Sequence, residues 1–356
     1  MSAPALVTVA AAVPSGTIPG DRFLDSAIEI DVDALFDGTE LFLGGVMEHI
    51  EEAGIHSGDS ACVLPSMTLT AMQLDEIKVA TGKIADGVGV RGLINIQFAI
   101  ADDTLFVLEA NPRASRTVPF VSKATGVALA KAAARISVGT TIVQLREEGI
   151  LPPTGDGVPR GVCVKEAVLP WNRFRRSDGR GVDAVLGPEM RSTGEVMGIA
   201  PSFGESYAKS QIAAFGPLPK TGTVFISLAD KDKPEGIDAA RGLVALGFTI
   251  MATDGTSRYL ADQGIISVPV RKNSDGIGPL GEQTIVEIIN SGDIDLVINT
   301  PVGRGTRADG WLIRTAAVQR SIPIITTIAG FNAAVEGIRF LQSSEISIKP
   351  LQEWLA

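Results

Sequence analysis

Residues 93–113 read Leu93-Ile-Asn-Ile-Gln-Phe-Ala-Ile-Ala-Asp-Asp-Thr-Leu-Phe-Val-Leu-Glu-Ala-Asn-Pro-Arg113 and predict a β-hairpin. Both sides of Asp102-Asp103 alternate with the period of two that strands have. One face is predicted to be apolar and comprises Ile94, Ile96, Phe98, Ile100, Phe106 and Leu108. The other face is predicted to be polar and comprises Asn95, Gln97, Glu109 and Asn111. Symmetric closure of the turn places Gln97 opposite Glu109 and Asn95 opposite Asn111, with side chains about 5 Å apart.

The polar face of this hairpin has two interpretations. A carboxylate beside amide oxygens is a donor set that suits a hard cation such as Mg²⁺. Arg113, just past the second strand, is placed to reach an anion held by that cation. The alternative is a solvated strand face, because hairpins with one wet side are common. The residues of the hairpin by themselves leave both interpretations open.

The composition of the 356 residues excludes several classes of partner. The formal net charge is −10, so no basic surplus exists to neutralise phosphates, and we expect no nucleic-acid partner. No apolar run is long enough to span a bilayer, and we expect no membrane partner. Cys62 and Cys163 are far apart in sequence, as is typical of a reduced, cytoplasmic protein. Residues 1–20 carry no charged side chain, and we expect them to form a disordered leader.

The first half of the chain predicts hairpins and helices of an α+β unit. Residues 28–36 and 40–43 flank Asp37-Gly38 and predict a further hairpin. Thr70-Ala-Met-Gln73 fits a capping box, which predicts that a helix begins there. A helix of small residues is predicted over 126–138 and a strand within 160–171. The charged, glycine-rich residues 172–187 predict a surface loop.

From about residue 216 short apolar strands alternate with helices. This rhythm predicts βαβ units and a doubly wound parallel sheet over residues 216–356. The aromatic content of 5% predicts a core of Val, Ile, Leu and Ala, as in buried parallel sheets. The carboxyl ends of the predicted strands carry Lys233, Thr253, Thr256, Lys272 and Asn299. Hydroxyls, lysines and a helix start at one sheet edge predict an anion site, with ordinary turn chemistry as the alternative.

Four longer stretches resemble the bacterial carbamoyl phosphate synthetase large chain. They read MEHIEEAGIHSGDS at 47–60, LEANPR at 108–113, TVPFVSKATG at 117–126 and LGPEMRSTG at 186–194. The resemblance covers roughly residues 21–356 and corresponds to the carboxyl-terminal end of that large chain. It implies an α/β protein in three parts. These are the carboxyl-terminal portion of an ATP-grasp domain at 21–145, an extension and linker at 146–215, and a methylglyoxal-synthase-like allosteric domain at 216–356.

The resemblance implies a ligase that uses ATP to phosphorylate carbamate, giving carbamoyl phosphate for arginine and pyrimidine biosynthesis. The implied cofactors are ATP and Mg²⁺ or Mn²⁺. The implied partners are the glutaminase small subunit and the earlier portion of the large chain, which supplies the loop and basic residues that close over ATP. We therefore expect this chain alone to be inactive or to need that portion. The expected location is the cytoplasm.

The resemblance also assigns roles to individual residues. The metal ligands are Gln97, Glu109 and Asn111, and the catalytic residues are Arg113, Glu109 and Asn111. The nucleotide contacts are Arg22, Leu24, Glu29, Gly54, Ile55, His56 and Ser57, together with Gln97 and Glu109. The contacts to a nucleotide effector such as UMP or IMP are Lys233, Thr253, Thr256, Lys272 and Asn299. Pro301 and Gly310 replace hydroxyl residues of that pocket, and Ile325 replaces an acid of an ornithine site that otherwise matches Glu51, Asp59, Glu166 and Thr326.

Two further functions stay open beside this one. The first is a non-catalytic module in which the carboxyl-terminal domain senses a nucleotide and the ATP-grasp portion acts as a dock. The second is another ATP-grasp carboxylate ligase, which the carboxyl-terminal domain disfavours. Nucleotide binding without phosphoryl transfer would distinguish the sensing module from the enzyme.

Overall fold

The computed structural model of the protein describes residues 24, 27–173, 183–300 and 307–355. The predicted leader at 1–20, Arg22, Pro301 and most of the predicted loop at 172–187 therefore lie outside the described residues. The chain divides into two compact units. Unit 1 comprises Met1–Gly54, Cys62–Val162 and Lys349–Ala356, and unit 2 comprises Ile55–Ala61 and Cys163–Ile348. The domain boundaries at 145 and 215 stay predictions.

The described elements follow one another along the chain as two series. The first is β1 Ile28–Phe36, β2 Leu41–His49, β3 Cys62–Leu64, α1 Ala71–Val88, β4 Gly92–Ala101, β5 Thr104–Asn111, α2 Val118–Thr125, α3 Leu129–Ser137 and α4 Ile142–Glu147. The second is β6 Val162–Val168, β7 Gly194–Ala200, α5 Phe203–Ala214, β8 Thr223–Ser227, α6 Lys233–Ala245, β9 Thr249–Thr253, α7 Asp254–Asp262, β10 Val268–Val270, α8 Ile285–Ser291, β11 Leu296–Asn299, α9 Arg307–Gln319, β12 Ile324–Ile325, α10 Ile328–Ser343 and α11 Leu351–Leu355.

An antiparallel sheet is the frame of unit 1. Its described strands are adjacent in the order β5-β4-β1-β2-β3, and both predicted hairpins are confirmed as antiparallel pairs. The predicted capping box of Thr70 and Gln73 is also confirmed at the start of α1. This helix packs Ile77 and Ile84 into a core with Ile30 of β1. Burial of each such side chain contributes about 1.5–3 kcal/mol to folding.

The β4–β5 hairpin has a bulge that sets which side chains share a face. Asp102 and Asp103 form the turn with φ of 49° and 56°, and the pairing runs regularly as far as Phe98 opposite Val107. The register then shifts, so that Gln97 pairs with Glu109 and Asn95 with Asn111, as predicted. Leu108 is the extra residue of the bulge, a feature that bends a strand and re-aims the side chains beside it.

The bulge makes one part of the predicted apolar face wrong. Phe106 and Leu108 were expected to join the apolar side of β4, but Phe106 pairs with Ala99 on the other face and Leu108 is 46% exposed. Leu105 and Val107 pack against the core instead. A shift of one residue moves a side chain to the opposite face of a strand, which explains the exchange.

Unit 2 contains the predicted doubly wound sheet. Its strands are adjacent in the order β10-β9-β8-β11-β12, and every pairing is parallel. Pro234 lies in the first turn of α6, as predicted. The core contains Phe225 of β8 and Val297 of β11, packed against Ile289 and Ile313 of the flanking helices. The predicted fold class is confirmed.

Within residues 24–355, apart from the undescribed gaps, no helix is both long and apolar enough to cross a membrane.

Candidate functional site

Unit 1 has a polar sheet face that extends beyond the predicted hairpin. Glu29, Asp31 and Asp33 alternate with buried apolar residues along β1. The register places Asp31 opposite Gln97 and Asp33 opposite Asn95. Since opposed residues in an antiparallel pair share a face, the acids of β1 and the amides of β4 form one polar surface.

The predicted metal ligands lie at the outer part of this surface. Glu109 is exposed, and Gln97 and Asn111 are half-buried. Within the described residues none of these three side chains forms a hydrogen bond, so their oxygens are available to a ligand. One carboxylate with two amides is a fitting donor set for Mg²⁺, which takes its other ligands from water and substrate phosphates.

Two further observations describe the chemical groups at and around this surface. The described part of the chain holds no cluster of three or more His, Cys, Asp and Glu side chains that could bind a metal. Arg113 is exposed, and its Nη1 donates to the carbonyl of Ala114 at 3.1 Å, so its guanidinium retains donors for an anion.

The side-chain amide of Asn95 is hydrogen-bonded to buried carboxylates of β1. Its amide Nδ2 donates to Oδ1 of Asp33 at 3.0 Å and to Oδ1 of Asp31 at 3.3 Å. Ser115 and Thr117 donate to the two oxygens of Asp33 at 2.7 and 2.6 Å. Burial nonetheless raises the pKa of Asp33 to about 6, because desolvation outweighs these hydrogen bonds and Asp31 adds repulsion.

His49 of β2 completes the buried part of the network. Its Nε2 lies 3.0 Å from Oδ2 of Asp31, and its Nδ1 lies 3.7 Å from Oε2 of Glu29. Burial lowers the pKa of His49, but Cys62 and Asp31 outweigh it and hold the pKa well above its usual value. Glu29 also accepts from the backbone N–H of Gly54 at 3.1 Å, which fixes the start of the segment predicted to contact nucleotide.

Sequence reasoning did not select Asp31, Asp33 or His49. The signal was present in β1, where acids occur at every second position between apolar residues. Such a pattern places several carboxylates on one face of a strand.

We expect the buried network to make stability depend on pH. The pKa of Asp33 is higher in the folded than in the unfolded chain, so its stabilising contribution is complete below pH 3.8 and is lost as pH rises through about 6. The loss corresponds to about 3 kcal/mol. Urea unfolding at pH 3 to 7 should show the free energy of unfolding of the wild type falling by this amount relative to Asp33→Asn. A difference that is constant with pH would contradict the prediction.

Of the other predicted nucleotide contacts, Leu24 is half-buried and belongs, like Gly54, to unit 1, whereas Ile55, His56 and Ser57 belong to unit 2. Within unit 2 the backbone N–H of His56 donates to the carbonyl of Gly187 at 2.9 Å. The ammonium of the buried Lys165 donates to the carbonyl of Ser57 at 3.0 Å. These bonds hold the backbone of residues 55–60, which we name the His56 loop.

Unit 2 contains a cavity of about 680 Å³ at the carboxyl edge of its parallel sheet. We name it the sheet-edge cavity. All the residues predicted as effector contacts line it, namely Lys233, Thr253, Thr256, Lys272 and Asn299. Gly310, the predicted departure from a hydroxyl residue, lines it as well. The convergence follows from the topology, because parallel strands end at the same edge.

The electrostatics of the sheet-edge cavity centre on Lys233. Its ammonium lies at the start of α7, 3.5 Å from the position that a Cβ on Gly255 would take. Its partner is the exposed Asp230, at 2.6 Å, and this lysine lowers the pKa of Asp230. A helix start, a lysine and threonine hydroxyls suit a phosphate, which would compete with Asp230 for Lys233.

We expect removal of this competitor to strengthen anion binding. In Asp230→Asn the ammonium of Lys233 loses its ion pair with Asp230. The affinity for UMP should rise by about two- to fivefold, which is the modest effect of an exposed ion pair. Calorimetry measures the change, with the exposed Asp238→Asn as the matched control. Weaker binding in Asp230→Asn would show that the carboxylate assists the ligand instead.

Comparison with known proteins finds family models that match parts of both halves of the chain. A family model described as "Carbamoyl-phosphate synthase L chain, ATP binding domain" matches residues 1–145, and one described as "MGS-like domain" matches residues 235–326. Among solved structures, the biotin carboxylase domain of a single-chain bacterial carboxylase covers 55% of this chain and 48% of its own, with 17% identity and a TM-score of 0.41.

Relatives of high sequence identity are carbamoyl phosphate synthase large chains. That of Streptomyces coelicolor is 61% identical over 347 residues, covering 96% of this chain and 32% of the relative. That of Kineococcus radiotolerans is 58% identical over 352 residues, with the same coverage. The chain thus spans about a third of the length of the curated relatives that it matches. It belongs to the carbamoyl phosphate synthase large chain family, of which it represents a carboxyl-terminal portion with ATP-binding sequence followed by an MGS-like domain.

Proposed function

We propose that the chain provides part of the site at which ATP phosphorylates carbamate to carbamoyl phosphate, under control of a nucleotide effector. The observation that carries the proposal is the pairing of Gln97 with Glu109 on a polar sheet face, beside Arg113. Such a wall would hold Mg²⁺ or Mn²⁺ against the phosphates of ATP. The cation would neutralise phosphate oxygens, and the arginine would stabilise the charge that develops on the transferred group.

The buried residues of unit 1 have a supporting part in this proposal. The carboxylate of Asp33 receives bonds from Ser115, Thr117 and Asn95, which join β1 and β4 to the segment after β5. Since that segment directly follows Arg113, the network fixes the backbone beside the arginine. The proposed roles of Leu24, Glu29, Gly54, Ile55, His56 and Ser57 are contacts to the nucleotide.

The remaining partners are part of the same proposal. About two thirds of the length of the relatives lies outside the part that this chain matches. We propose that activity requires that sequence, and that the glutaminase small subunit is a further partner that the formation of ATP from ADP and carbamoyl phosphate does not need. In the test, this chain is mixed with a fragment of the Streptomyces coelicolor large chain that contains the residues preceding the matched part. Mg²⁺, ADP and carbamoyl phosphate are supplied, and ATP is measured.

The expected result is that the mixture forms ATP and that neither component does so alone. ATP formation by this chain alone would refute the need for a complement. A mixture that assembles, as judged by its elution volume, but forms no ATP would contradict the proposed reaction.

The sheet-edge cavity supports a second candidate function, nucleotide sensing without catalysis. All five predicted effector contacts lie in unit 2, so the cavity needs no residue of unit 1. Calorimetry with UMP and IMP tests this function on the chain alone. Binding to the chain together with an inactive assembly would favour the sensing module over the enzyme.

A further inference from the structure

A short segment of unit 2 is bonded both to the wall of the sheet-edge cavity and to the His56 loop. It comprises residues 183–192, and we name it the connecting segment. Its bonds at both ends join residues distant in sequence, with side chains that are largely buried. It therefore offers a physical route between the two regions within one compact unit.

Arg314 forms the end of this route at the cavity. This residue of α9 is fully buried. Its Nε and Nη2 donate to the two carboxylate oxygens of Asp183 at 2.6 and 2.7 Å, and its Nη1 donates to Oδ1 of Asn299 at 2.7 Å. Asn299 in turn lines the cavity. The planar fork of arginine suits this arrangement, because it bonds a carboxylate at two points and still has donors for the amide.

The other end of the connecting segment holds the His56 loop through Asp59. The backbone N–H groups of Arg191 and Ser192 donate to Oδ2 and Oδ1 of this buried carboxylate at 2.7 and 2.9 Å. The hydroxyl of Ser192 donates to the carbonyl of Gly58 at 3.1 Å. Hydrogen bonds to a buried charge are strong and directional, so a shift of the loop away from the segment would break them.

Arg191 joins the two ends. Its Nη1 donates to the carbonyl of Asp183 at 2.9 Å and to that of Val185 at 3.2 Å, while its backbone N–H holds Asp59. Displacement of Asp183 therefore acts on the same residue that anchors the loop. Because a buried charge that loses one partner is strongly destabilising, the bonds are expected to break or form together.

An anion bound in the cavity can act on this series of hydrogen bonds through Asn299. The amide Nδ2 of Asn299 reaches the carbonyl of Ser227 at 3.4 Å, a long bond that leaves the donor available to a ligand. A phosphate oxygen that accepts from Nδ2 would hold the amide with Oδ1 on Arg314. Occupancy of the cavity would then favour one arrangement of the route over others.

We propose that Arg314 is a positioning residue that couples occupancy of the sheet-edge cavity to the geometry of the His56 loop. The coupling runs through Asn299, Asp183 and the connecting segment. The proposal rests on the proposed function for the chemistry of the two ligands, a nucleotide in the cavity and ATP at the loop. The bonds that carry it are independent of those ligands.

Histidine signals test the coupling directly, because the sequence contains two histidines, His49 and His56. The full chain is labelled with ¹³C-histidine, and the signals are assigned with His56→Gln. Addition of UMP is expected to shift the His56 signal in the wild type. In Asp183→Asn, UMP should bind with an affinity within about threefold of the wild type, but the shift should be lost. The matched control is Glu336→Gln, which removes an exposed ion pair on α10. An equal shift in Asp183→Asn and the control would overturn the proposal.

A second measurement is made without ligand, so its result does not depend on which effector binds the cavity. Amide hydrogen exchange of a peptide covering residues 55–60 should be at least about tenfold faster in Asp183→Asn than in Glu336→Gln. Unchanged exchange would overturn the coupling even if UMP binds. If neither UMP nor IMP binds the wild type, the proposed function of the cavity fails, and the exchange rates still decide whether Arg314 and Asp183 position the loop.

Discussion

Glu109→Gln is expected to reduce ATP formation in the reconstituted assembly by at least about 100-fold. The substitution retains the size of the side chain and removes the carboxylate from the set formed with Gln97 and Asn111. The two amides that remain carry no charge to offset that of the cation. Electrostatic stabilisation by a bound metal contributes several kcal/mol to a transition state, which corresponds to this loss in rate.

Two measurements separate this effect from a loss of folding. The exposed Glu76→Gln on α1 of the same unit serves as the matched control and should retain its activity. Circular dichroism should give the same unfolding midpoint for both variants, because Glu109 is exposed and forms no hydrogen bond among the described residues. Equal rates in the two variants would show that Glu109 holds no cation, and the solvated strand face would then be the better interpretation of the hairpin.

The polar hairpin shows which parts of a site a sequence can predict. The period of two and the Asp-Asp turn were enough to place Gln97 opposite Glu109, because strand pairing is a local property. The bulge at Leu108 was not predictable from alternation. Because of the bulge, Phe106 does not lie on the apolar face, and Leu105 and Val107 pack against the core instead. The pattern of a strand therefore predicts that polar groups share a face but not where the pairing shifts.

Asn95 shows why the ligand set was only partly predictable. Its side chain is indistinguishable in the pattern from that of Gln97, yet it is bonded to Asp31 and Asp33, residues more than 60 positions earlier. Whether an amide faces a ligand or a buried acid depends on the neighbouring strand. That choice is made by the tertiary pairing of β1 with β4, which local spacing does not encode.

The sheet-edge cavity was the more predictable of the two regions. Lys233, Thr253 and Asn299 were selected because each follows a predicted strand, and a parallel sheet brings such residues together whatever their separation in sequence. Arg314 was not selected, since an arginine within a helix usually contacts solvent. Its partner Asp183 is 131 residues away, and no sequence spacing indicates that pair.

Lys233→Met is expected to weaken the binding of UMP by about 10- to 150-fold. The ammonium lies at the start of α7 and is positioned beside Thr253 and Thr256 in the wall of the cavity. Loss of a charged hydrogen bond costs about 1.5–3 kcal/mol, which gives this range of affinity. Methionine retains most of the length of the side chain, so the packing of the buried aliphatic part is preserved. Calorimetry measures the dissociation constant in the wild type and the variant.

The control for this prediction is Lys220→Met, which removes an exposed lysine of the same unit that does not line the cavity. Both variants lower the net charge equally, so a general electrostatic effect would weaken binding in both. A specific contact weakens it in Lys233→Met and leaves Lys220→Met within about twofold of the wild type.

The double variant Lys233→Met with Asp230→Asn sharpens the test, because the gain expected from Asp230→Asn depends on the freed ammonium. If the gain persists without Lys233, the lysine is not the group that Asp230 withholds from the ligand, and the phosphate must bind elsewhere in the cavity.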